Sequence, residues 1–334
     1  MNAPARSTIR ESRKAGVHNA KSFHRALLRW YDQHRRDLPW RKIRDPYRVW
    51  VSEIMLQQTR VAAVIEHYRI FLERFPDVAA LAAAPEDAVL AAWSGLGYYR
   101  RARMMHRCAR EIVHERQGTF PRTSQTLAEL PGIGRYTAAA IASIAFDEPV
   151  AVVDGNVERV LERLAGRPLP PARIWNVAQS LVDSVRPGDF NQAMMELGAT
   201  LCTPRQPACL LCPVRKWCTS RGELAGTQTP PRQRKREKWY ALDRRDGHVR
   251  LVQRSKTNSL MPGMWELPEA LPAVSEEDPA YWRMFRHSIT VTDYKIHVVR
   301  RRAPGKGKWI AIEAISALPI TGLARKILRA GGII

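Results

Sequence analysis

Two carboxylic acids stand where a carboxyl group could do acid–base chemistry. Glu53 lies within an apolar, helix-like run from Trp50 to Leu56. If its side chain is buried, the loss of hydration raises the pKa of the carboxyl and makes a general acid near neutral pH possible. Asp154 follows an apolar run and precedes a glycine, which is a context typical of a helix N-cap. The alternatives are a Glu53 that faces solvent and an Asp154 that only caps a helix.

Four cysteines fall within seventeen positions, in the spacing C-x6-C-x2-C-x5-C: Cys202, Cys209, Cys212 and Cys218. Thiolates at such spacing can ligate a soft metal or an iron–sulfur cluster. Two disulfides are disfavoured, because the chain is large and shows no secretory signal. A structural zinc is the stronger alternative, although zinc sites more often use paired C-x2-C elements. The spacing leaves zinc and cluster open, and the remaining Cys108 is expected to be an inert packed thiol.

A proline–glycine turn, Leu130-Pro131-Gly132-Ile133-Gly134, separates two predicted helices. Proline ends the first helix, and the glycines permit a tight turn with close approach of the backbone. The free amides at the start of the second helix can then bind an anion such as a phosphate. Alone, the motif indicates no more than a connection between helices. The predicted helices are Ser124 to Glu129 and Tyr136 to Ile144.

The charge balance favours a polyanionic partner. The chain has 54 lysines and arginines against 32 aspartates and glutamates, a formal charge of +22 and a pI near 10.5. Such a surface attracts nucleic acid, which makes the glycine turn a candidate clamp for a DNA backbone. No apolar run approaches the roughly 20 residues of a membrane span. The basic segment 1–22 lacks the apolar core of a signal peptide, which leaves a transit peptide or a disordered arm that touches DNA.

Composition divides the remaining chain into a helical region and a smaller β-containing region. Residues 23–224 show apolar positions at three- and four-residue steps, which predicts a mainly α region. Residues 225–238 are polar and basic and are predicted to form a linker. Residues 239–334 are predicted to form an α+β domain. Its β-like runs are Trp239 to Leu242, Val249 to Gln253, Ile289 to Thr292, Lys295 to Val299 and Trp309 to Ile312.

Taken together, these motifs resemble the endonuclease III superfamily of DNA glycosylases, which has a helix-hairpin-helix followed by a Gly/Pro-rich loop and an aspartate. Within it, the chain is similar to the MutY-type adenine DNA glycosylases, densely over residues 23–220. The matching motifs are Leu38-Pro39-Trp40-Arg41, Asp45-Pro46-Tyr47, Val51 to Thr59, Gly95-Leu96-Gly97-Tyr98-Tyr99, Leu130 to Thr137, Val153 to Val157 and the cysteine cluster.

The resemblance implies a fold of two helical lobes with an iron–sulfur loop and a C-terminal Nudix-like α+β domain. A six-helix lobe would span about residues 45–150, and a cluster lobe would combine residues 23–44 and 151–224. The four cysteines would hold a [4Fe–4S] cluster. The segment Leu251 to Arg254 through Gly263 to Pro268 resembles the opening hairpin of the Nudix-like domain. Because the glutamate-rich Nudix motif is missing, that domain is not expected to hydrolyse nucleotides.

The implied reaction is removal of adenine mispaired with 8-oxoguanine or guanine in double-stranded DNA, after the adenine is flipped out of the helix. Glu53 would protonate the adenine, and Asp154 would stabilise or trap the sugar cation. Tyr136 stands where the lyase branch has its imine-forming lysine, so base excision without strand cleavage is expected. Tyr136 would support the intermediate, and Asn156 would orient nearby groups.

Other roles follow from position in the family. Trp40, Arg41 and Leu56 match residues lining the adenine pocket. Gln58 and Tyr98 match residues that enter the helix at the mispair, Tyr98 as a wedge. Gly132 and Gly134 would present amides to phosphates. The family's Phe-Ser-His loop, which reads 8-oxoguanine, is replaced here by Phe285-Arg286-His287-Ser288, so either Ser288 or Arg286 would supply the contact.

Two other functions remain as alternatives. One is a bifunctional or pyrimidine-specific glycosylase of the endonuclease III type, against which Tyr136 and Glu53 argue. The other is a non-catalytic DNA-binding protein with a structural cluster, against which the pair Glu53 and Asp154 argues. The expected protein is a monomer, cytoplasmic and nucleoid-associated, and the heavy use of arginine and alanine suggests a bacterial source.

Overall fold

The computed structural model describes residues 17, 19–222, 224, 234–258, 260–272, 278–289, 291–303 and 305–334. Most of the predicted N-terminal arm, 1–22, lies outside these residues. Its end was assigned wrongly, because the first helix begins at Ala20. Asn19 caps this helix by accepting a hydrogen bond from the amide of Ser22 at 3.1 Å.

The mainly α character predicted for this part of the chain is confirmed, with α-helices from Ala20 to Thr200 followed by two 3-10 turns, Cys209–Leu211 and Arg215–Trp217. The helices are α1, Ala20–His34; α2, Pro46–Leu56; α3, Val61–Arg74; α4, Val78–Ala83; α5, Glu86–Ala92; α6, Arg100–Arg116; α7, Ser124–Leu127; α8, Arg135–Phe146; α9, Gly155–Ala165; α10, Pro171–Leu181; α11, Pro187–Thr200; and, in the C-terminal domain, α12, Gly322–Ala330.

The chain forms two compact units, each made of two segments. The first unit combines Met1–Val61 with Glu111–Thr227. Within it α2 packs on α8, and α11 packs on α1, α8 and α9. Alanines of α8 are fully buried, and their small side chains let neighbouring backbones approach closely. One such close approach is at Gly188 on α11, where an added Cβ would lie 2.6 Å from the carbonyl oxygen of Ser143.

The second unit combines Ala62–Arg110 with Gln228–Ile334. Strands β1, β6 and β5 form one sheet in that order, with β1 parallel to β6 and β5 antiparallel to it. Strands β2, β3 and β4 form a second sheet, and β7 pairs with β3. The strands are β1, Arg234–Ala241; β2, Arg244–Arg245; β3, His248–Gln253; β4, Trp265–Glu266; β5, Tyr281–Ile289; β6, Thr292–Val299; and β7, Lys308–Ala311.

The α+β character predicted for the C-terminal region is confirmed, but two boundaries differ. Residues 234–238, assigned to the linker, form the start of β1, because their main chain pairs with β6 from Arg234↔Thr292 onward. The rest of the linker, 225–233, lies outside the described residues. The run Ile289 to Thr292 was predicted as one strand, but Ile289 ends β5, Thr292 begins β6, and these two residues pair with each other.

Helix boundaries also differ locally. Residues 57–60 interrupt the apolar run after Leu56, because Gln58 adopts a left-handed conformation with φ of 56°. The helix before the glycine turn stops at Leu127 rather than Glu129. Among the described helices, none has the length and apolarity needed to cross a membrane. The predicted division into a six-helix lobe and a cluster lobe stays a prediction.

We predict that Gly188→Ala destabilises the fold. Its new Cβ would lie 2.6 Å and 2.8 Å from backbone atoms of Ser143 and Ile144, which cannot move as a flexible side chain can. An overpacked contact of this kind typically costs about 1–3 kcal/mol of unfolding free energy. Urea denaturation followed by circular dichroism measures the loss. Gly322→Ala is the matched control, since nothing lies within 4 Å of a Cβ there; an equal loss in both variants would contradict the packing argument.

Candidate active site

Glu53 is held inside the first unit by a helix that is apolar on nearly every side. Asp45 caps α2 by accepting a hydrogen bond from the amide of Arg48 at 2.8 Å, and Pro46 begins the helix with a suitable φ. Because α2 is buried all round, an acid at position 53 cannot face solvent. Glu53 is only 6% exposed, so the alternative that its side chain faces solvent is wrong.

Tyr136 is the direct partner of Glu53. Its hydroxyl donates a hydrogen bond to Oε2 of Glu53 at 2.6 Å. It also lies 3.5 Å from Sδ of Met195. Tyr136 is the second residue of α8, which begins at the glycine turn, so the turn fixes the place from which the tyrosine reaches the carboxyl.

Burial raises the pKa of Glu53 to about 7. The hydrogen bond from Tyr136 acts in the opposite direction, the charge of Asp154 raises the pKa further, and Arg41 lowers it. Burial and the neighbouring Glu53 raise the pKa of Tyr136 as well, so its hydroxyl stays a proton donor. Glu53 is therefore a carboxyl group that is half protonated near neutral pH, which suits a general acid.

Asp154 caps α9 and points its carboxylate at the helix start. Oδ1 accepts hydrogen bonds from the amides of Asn156 at 2.9 Å and Val157 at 2.8 Å. Oδ2 accepts a third bond, from Nδ2 of Asn156 at 2.9 Å. These donors, at the positive end of the helix dipole, stabilise a negative charge and fix its direction. The capping role is real, and it coexists with electrostatic proximity to Glu53.

Asn156 is fixed in turn by Arg159. The guanidinium donates to Oδ1 of Asn156 at 2.8 Å, to the carbonyl of Gly198 at 2.7 Å and to the carbonyl of Cys202 at 2.8 Å. One half-buried arginine thus ties the turn that carries Asp154 to the end of α11 and to the first of the four cysteines.

Trp40 and Arg41 lie in a 3-10 turn, Pro39–Arg41, and both are largely shielded from solvent. Nη2 of Arg41 donates to Oε2 of Glu196 at 2.8 Å. Arg36 binds the same carboxylate through two further hydrogen bonds of 2.7 Å. Burial opposes ionisation of Glu196, but these hydrogen bonds outweigh it and lower the pKa to about 2. Arg41 is therefore held in place by the buried carboxylate of Glu196. Leu56, the third residue matched to the adenine pocket, is half-buried at the end of α2.

The glycine turn has the geometry of an anion-binding helix start. Gly132 has φ of 77°, and Gly134 is the N-terminal flanking residue of α8. No side chain caps α8, and both glycines are exposed, so the first amides of the helix are open to a ligand. Arg135 lies over the ring of Trp175 at 3.9 Å and adds positive charge beside the turn.

The two residues matched to the mispair differ from ordinary loop residues in their backbone. Gln58, in the first unit, is exposed with φ of 56°. Tyr98, in the second unit, is 47% exposed with φ of 47°. A left-handed backbone at non-glycine residues is strained and is frequent at functional positions. The structure leaves both side chains accessible to a large ligand.

The four cysteines line one cavity together with three arginines. Nη1 of Arg163 lies 3.2 Å from Sγ of Cys202, and the amide of Arg221 lies 3.4 Å from Sγ of Cys218. Trp217 anchors the loop by packing edge-on against Phe23, with 5.3 Å between ring centroids. Among the described residues, no three His, Cys, Asp or Glu side chains are close enough to hold a single metal ion. Cys108 is buried, as expected.

The segment Phe285-Arg286-His287-Ser288 was expected to form a loop and instead lies within β5. Phe285 is buried in the core of the sheet, and Arg286 and Ser288 are exposed. Burial lowers the pKa of His287, and the charge of Lys326 lowers it further. Alternation along a strand explains why the two exposed residues lie on the face opposite Phe285 and His287.

Two residues of this site were missed by sequence reasoning. Glu196 lies in an apolar helical run, as Glu53 does, so the criterion that selected Glu53 would also have selected it. Arg159 carried no signal, because it is one of many arginines on an amphipathic helix.

Comparisons with known proteins show to which family the chain is similar. A family model described as HhH-GPD superfamily base excision DNA repair protein matches residues 51–173. Adenine DNA glycosylase of Mus musculus is 49% identical over 235 residues, covering 64% of this chain and 46% of the relative. Adenine DNA glycosylase of Buchnera aphidicola subsp. Schizaphis graminum is 38% identical over 232 residues, covering 66% of this chain and 67% of the relative.

A solved structure of a thermostable thymine-DNA glycosylase superposes with a TM-score of 0.57 at 31% identity, covering 60% of this chain and 96% of that one. The chain belongs to the HhH-GPD superfamily of base excision DNA repair proteins. Its place within the superfamily is the MutY-type adenine DNA glycosylase family. It spans about half the length of the mammalian relatives, 42–46%.

We predict that Glu53→Gln makes stability less sensitive to pH. The folded-state pKa of about 7 lies above the ordinary 4.5. Between these two pH values the folded protein therefore binds more protons than the unfolded chain. The free energy of unfolding of the wild type must therefore fall as pH rises through this window. Relative to the wild type, the variant should gain about 3 kcal/mol between pH 4.5 and pH 8. Urea titrations at both pH values measure this difference; a constant difference would refute the raised pKa.

Proposed function

We propose that the protein is a monofunctional glycosylase that removes adenine from A:8-oxoguanine and A:G mispairs in double-stranded DNA. The observation that carries the proposal is one site holding a buried Glu53, a hydroxyl donor on it from Tyr136 and a second carboxylate, Asp154. Removing an adenine requires a proton donor for the base and negative charge for the sugar. The two acids supply these separately because their surroundings differ.

Glu53 acts as the general acid. Neutral adenine is a poor leaving group, so protonation of its ring must accompany cleavage of the glycosidic bond. A carboxyl with a pKa of about 7 carries the proton near neutral pH and still releases it readily. Tyr136 holds Oε2 through its 2.6 Å hydrogen bond, which leaves Oε1 to face the base.

Asp154 stabilises the sugar. As the bond breaks, positive charge develops on the sugar ring, and an oriented carboxylate lowers the energy of that state. The same carboxylate can form a covalent link to the sugar that water then opens, as in retaining glycosidases. Asn156 keeps Oδ2 in place through the 2.9 Å hydrogen bond, and Arg159 keeps Asn156 in place.

Tyr136 separates this activity from that of a lyase. A lyase needs an amine that forms an imine with the sugar, and a phenol cannot do this. Its hydroxyl is moreover engaged with Glu53. We therefore propose base release without strand cleavage, in preference to the bifunctional alternative.

DNA binding follows from the charge and from the exposed groups around the site. Gly132 and Gly134 present amides to a phosphate, while the surface carries the net charge of +22. The adenine is flipped into a pocket that includes Trp40, Arg41 and Leu56. Gln58 and Tyr98 fill the helix where the base has left, Tyr98 as the intercalating wedge.

The four cysteines fit a [4Fe–4S] cluster better than a zinc ion. All four line one cavity, yet in the part of the chain that the structure describes no three ligands lie as close together as a single ion, with Zn–S bonds of about 2.3 Å, requires. Arginines around the cavity offset the negative charge of four thiolates. When bound, such a cluster shapes the basic loop and takes no part in bond cleavage. Arg215 and Lys216 of that loop are then presented to phosphates.

The C-terminal domain reads the base opposite adenine through the exposed residues of β5. Arg286 and Ser288 are the candidates for the contact, because Phe285 is part of the core. Ser288 donates a 2.5 Å hydrogen bond to Asp293, so it must exchange this partner to bind a base, whereas Arg286 has an exposed guanidinium.

The proposed reaction predicts strand breaks only after alkali. The assay is single-turnover, on a duplex with one A opposite 8-oxoguanine. The wild type should produce abasic sites, and the strand should break at these sites only after treatment with alkali. Glu53→Gln and Asp154→Asn should each lower the rate at least about 100-fold, since each removes acid–base or charge stabilisation. Glu148→Gln is the control, an acid of the same unit that binds Ser124 instead. Breaks without alkali, or full activity of Glu53→Gln, would contradict the proposal.

Purification without chelators should give a brown protein with absorption near 400 nm and about four irons per chain, as expected for a cysteine-held cluster. Cys212→Ser should lose the colour, and Cys108→Ser should keep it, because Cys108 is buried elsewhere in the chain. A colourless wild type with one zinc per chain would overturn the cluster.

A further inference from the structure

Helix α12 makes polar contacts with two separate segments of the second unit through neighbouring residues. Nε of Arg325 donates to Oγ of Ser94 at 2.9 Å. Nζ of Lys326, the next residue, donates to the carbonyl of Arg286 at 2.8 Å. Ser94 begins the loop that carries Tyr98, and Arg286 belongs to the β5 segment proposed to read the opposite base. One helix therefore contacts both.

Ile320, two residues before α12, strengthens the first contact. The carbonyl of Ile320 accepts hydrogen bonds from Oγ of Ser94 at 2.9 Å and from the hydroxyl of Tyr99 at 3.0 Å. Ser94, Tyr99 and Ile320 are at most 3% exposed. Ile320 also bridges to Trp265 of β4, so the carbonyl cannot drift away from the sheet. Buried hydrogen bonds of this kind are costly to break and keep their geometry.

The loop between these anchors is preformed around Tyr98. Gly95, Gly97 and Tyr98 all have positive φ, at 111°, 70° and 47°. The indole of Trp93 donates to the carbonyl of Gly97 at 3.1 Å. Arg101 lies over the Tyr98 ring at 5.5 Å. The Tyr98 ring thus contacts Arg101 and is otherwise largely exposed to solvent. The positions of Ser94 and Tyr99, at the two ends of the loop, determine the direction of the ring.

We propose that α12 couples recognition of the base opposite adenine to the placement of the Tyr98 wedge. Arg325 and Lys326 are then positioning residues that set specificity for the mispair. The proposal rests on the proposed function, because it needs Arg286 or Ser288 at the opposite base and Tyr98 in the helix.

Displacement of β5 by a bound base is passed to the carbonyl of Arg286, and from there to Lys326. A helix of nine residues moves as a rigid element, so a shift of Lys326 is passed to Arg325 and to its contact on Oγ of Ser94. The Ile320 carbonyl stays with β4 and holds Ser94 and Tyr99, so the loop between them turns about these two contacts. A correct opposite base therefore favours the inserted wedge, and a base that does not engage β5 leaves the wedge where it was.

The test is the ratio of single-turnover rates on A:8-oxoguanine and A:G duplexes, measured for Arg325→Ala, Lys326→Ala and Tyr99→Phe. Each variant should lower the ratio about fivefold to tenfold, the range expected for loss of a coupling contact. The A:G rate should stay within about twofold of the wild type. A general loss of structure would lower both rates together and leave the ratio unchanged.

Two controls match the variants in chemistry. Arg329→Ala removes an exposed arginine from the same helix, one turn beyond Arg325. Tyr281→Phe removes a hydroxyl that lies 3.2 Å from His297 in the same unit. Both should keep the wild-type ratio. The double variant Tyr99→Phe with Lys326→Ala should lower the ratio no further than either change alone, because both interrupt one connection.

Unchanged ratios in Arg325→Ala, Lys326→Ala and Tyr99→Phe, with an active wild type, would overturn the coupling and leave the proposed function standing. Equal losses in the controls would overturn it too. If Arg325→Ala fails to fold, Tyr99→Phe decides alone, since it removes a single oxygen. A wild type that releases adenine from neither duplex would instead overturn the proposed function, and the coupling with it.

Discussion

Burial of the Glu53 carboxyl is the constraint on which the rest of the site depends. A glutamate in water is ionised at neutral pH and has no proton to give. Packing of the apolar α2 against α8 removes water from around Glu53 and raises its pKa to about 7. Tyr136 offsets part of this cost through its hydrogen bond, so the carboxyl remains in balance between its two forms rather than permanently protonated.

Asp154, the second carboxylate of the same unit, is surrounded by hydrogen-bond donors. Asp154 is placed at a helix start, where two amides and an asparagine side chain bind it, and Arg159 braces that asparagine. Glu196 is buried like Glu53, but two arginines lower its pKa to about 2, which makes it a fixed anchor for Arg41. Two buried acids of one unit thus differ in pKa because burial prevails at Glu53 and hydrogen bonds from arginines prevail at Glu196.

The parts of the site that could be predicted from sequence are those whose meaning is local. The apolar run around Glu53 predicts burial, the glycine after Asp154 predicts a cap, and the spacing of Cys202 to Cys218 predicts convergence on one centre. The helical region and the α+β region were likewise predictable from apolar periodicity. Placing Phe285 to Ser288 in a loop was wrong because pairing with β6, not local composition, decides where a hairpin turns.

The contacts that join distant segments could not be read from sequence. Tyr136 lies 83 residues from Glu53, Glu196 lies 160 residues from Arg36, and Arg325 lies 231 residues from Ser94. Each pairing depends on the tertiary packing of helices whose surfaces carry many similar arginines and acids. The left-handed backbone at Gln58 and Tyr98 is equally invisible in sequence, because neither residue type requires it.

The protonation state of Glu53 is the first quantity to measure. With ¹³C-labelled glutamate, the carboxyl resonance absent from Glu53→Gln identifies this residue, and its chemical shift can be followed from pH 4 to pH 9. We expect a midpoint near 7, which moves upward in Tyr136→Phe because the hydrogen bond that favours the ionised form is gone. A midpoint at or below the ordinary 4.5 would rule out Glu53 as the general acid, since the carboxyl would then have no proton to donate to adenine.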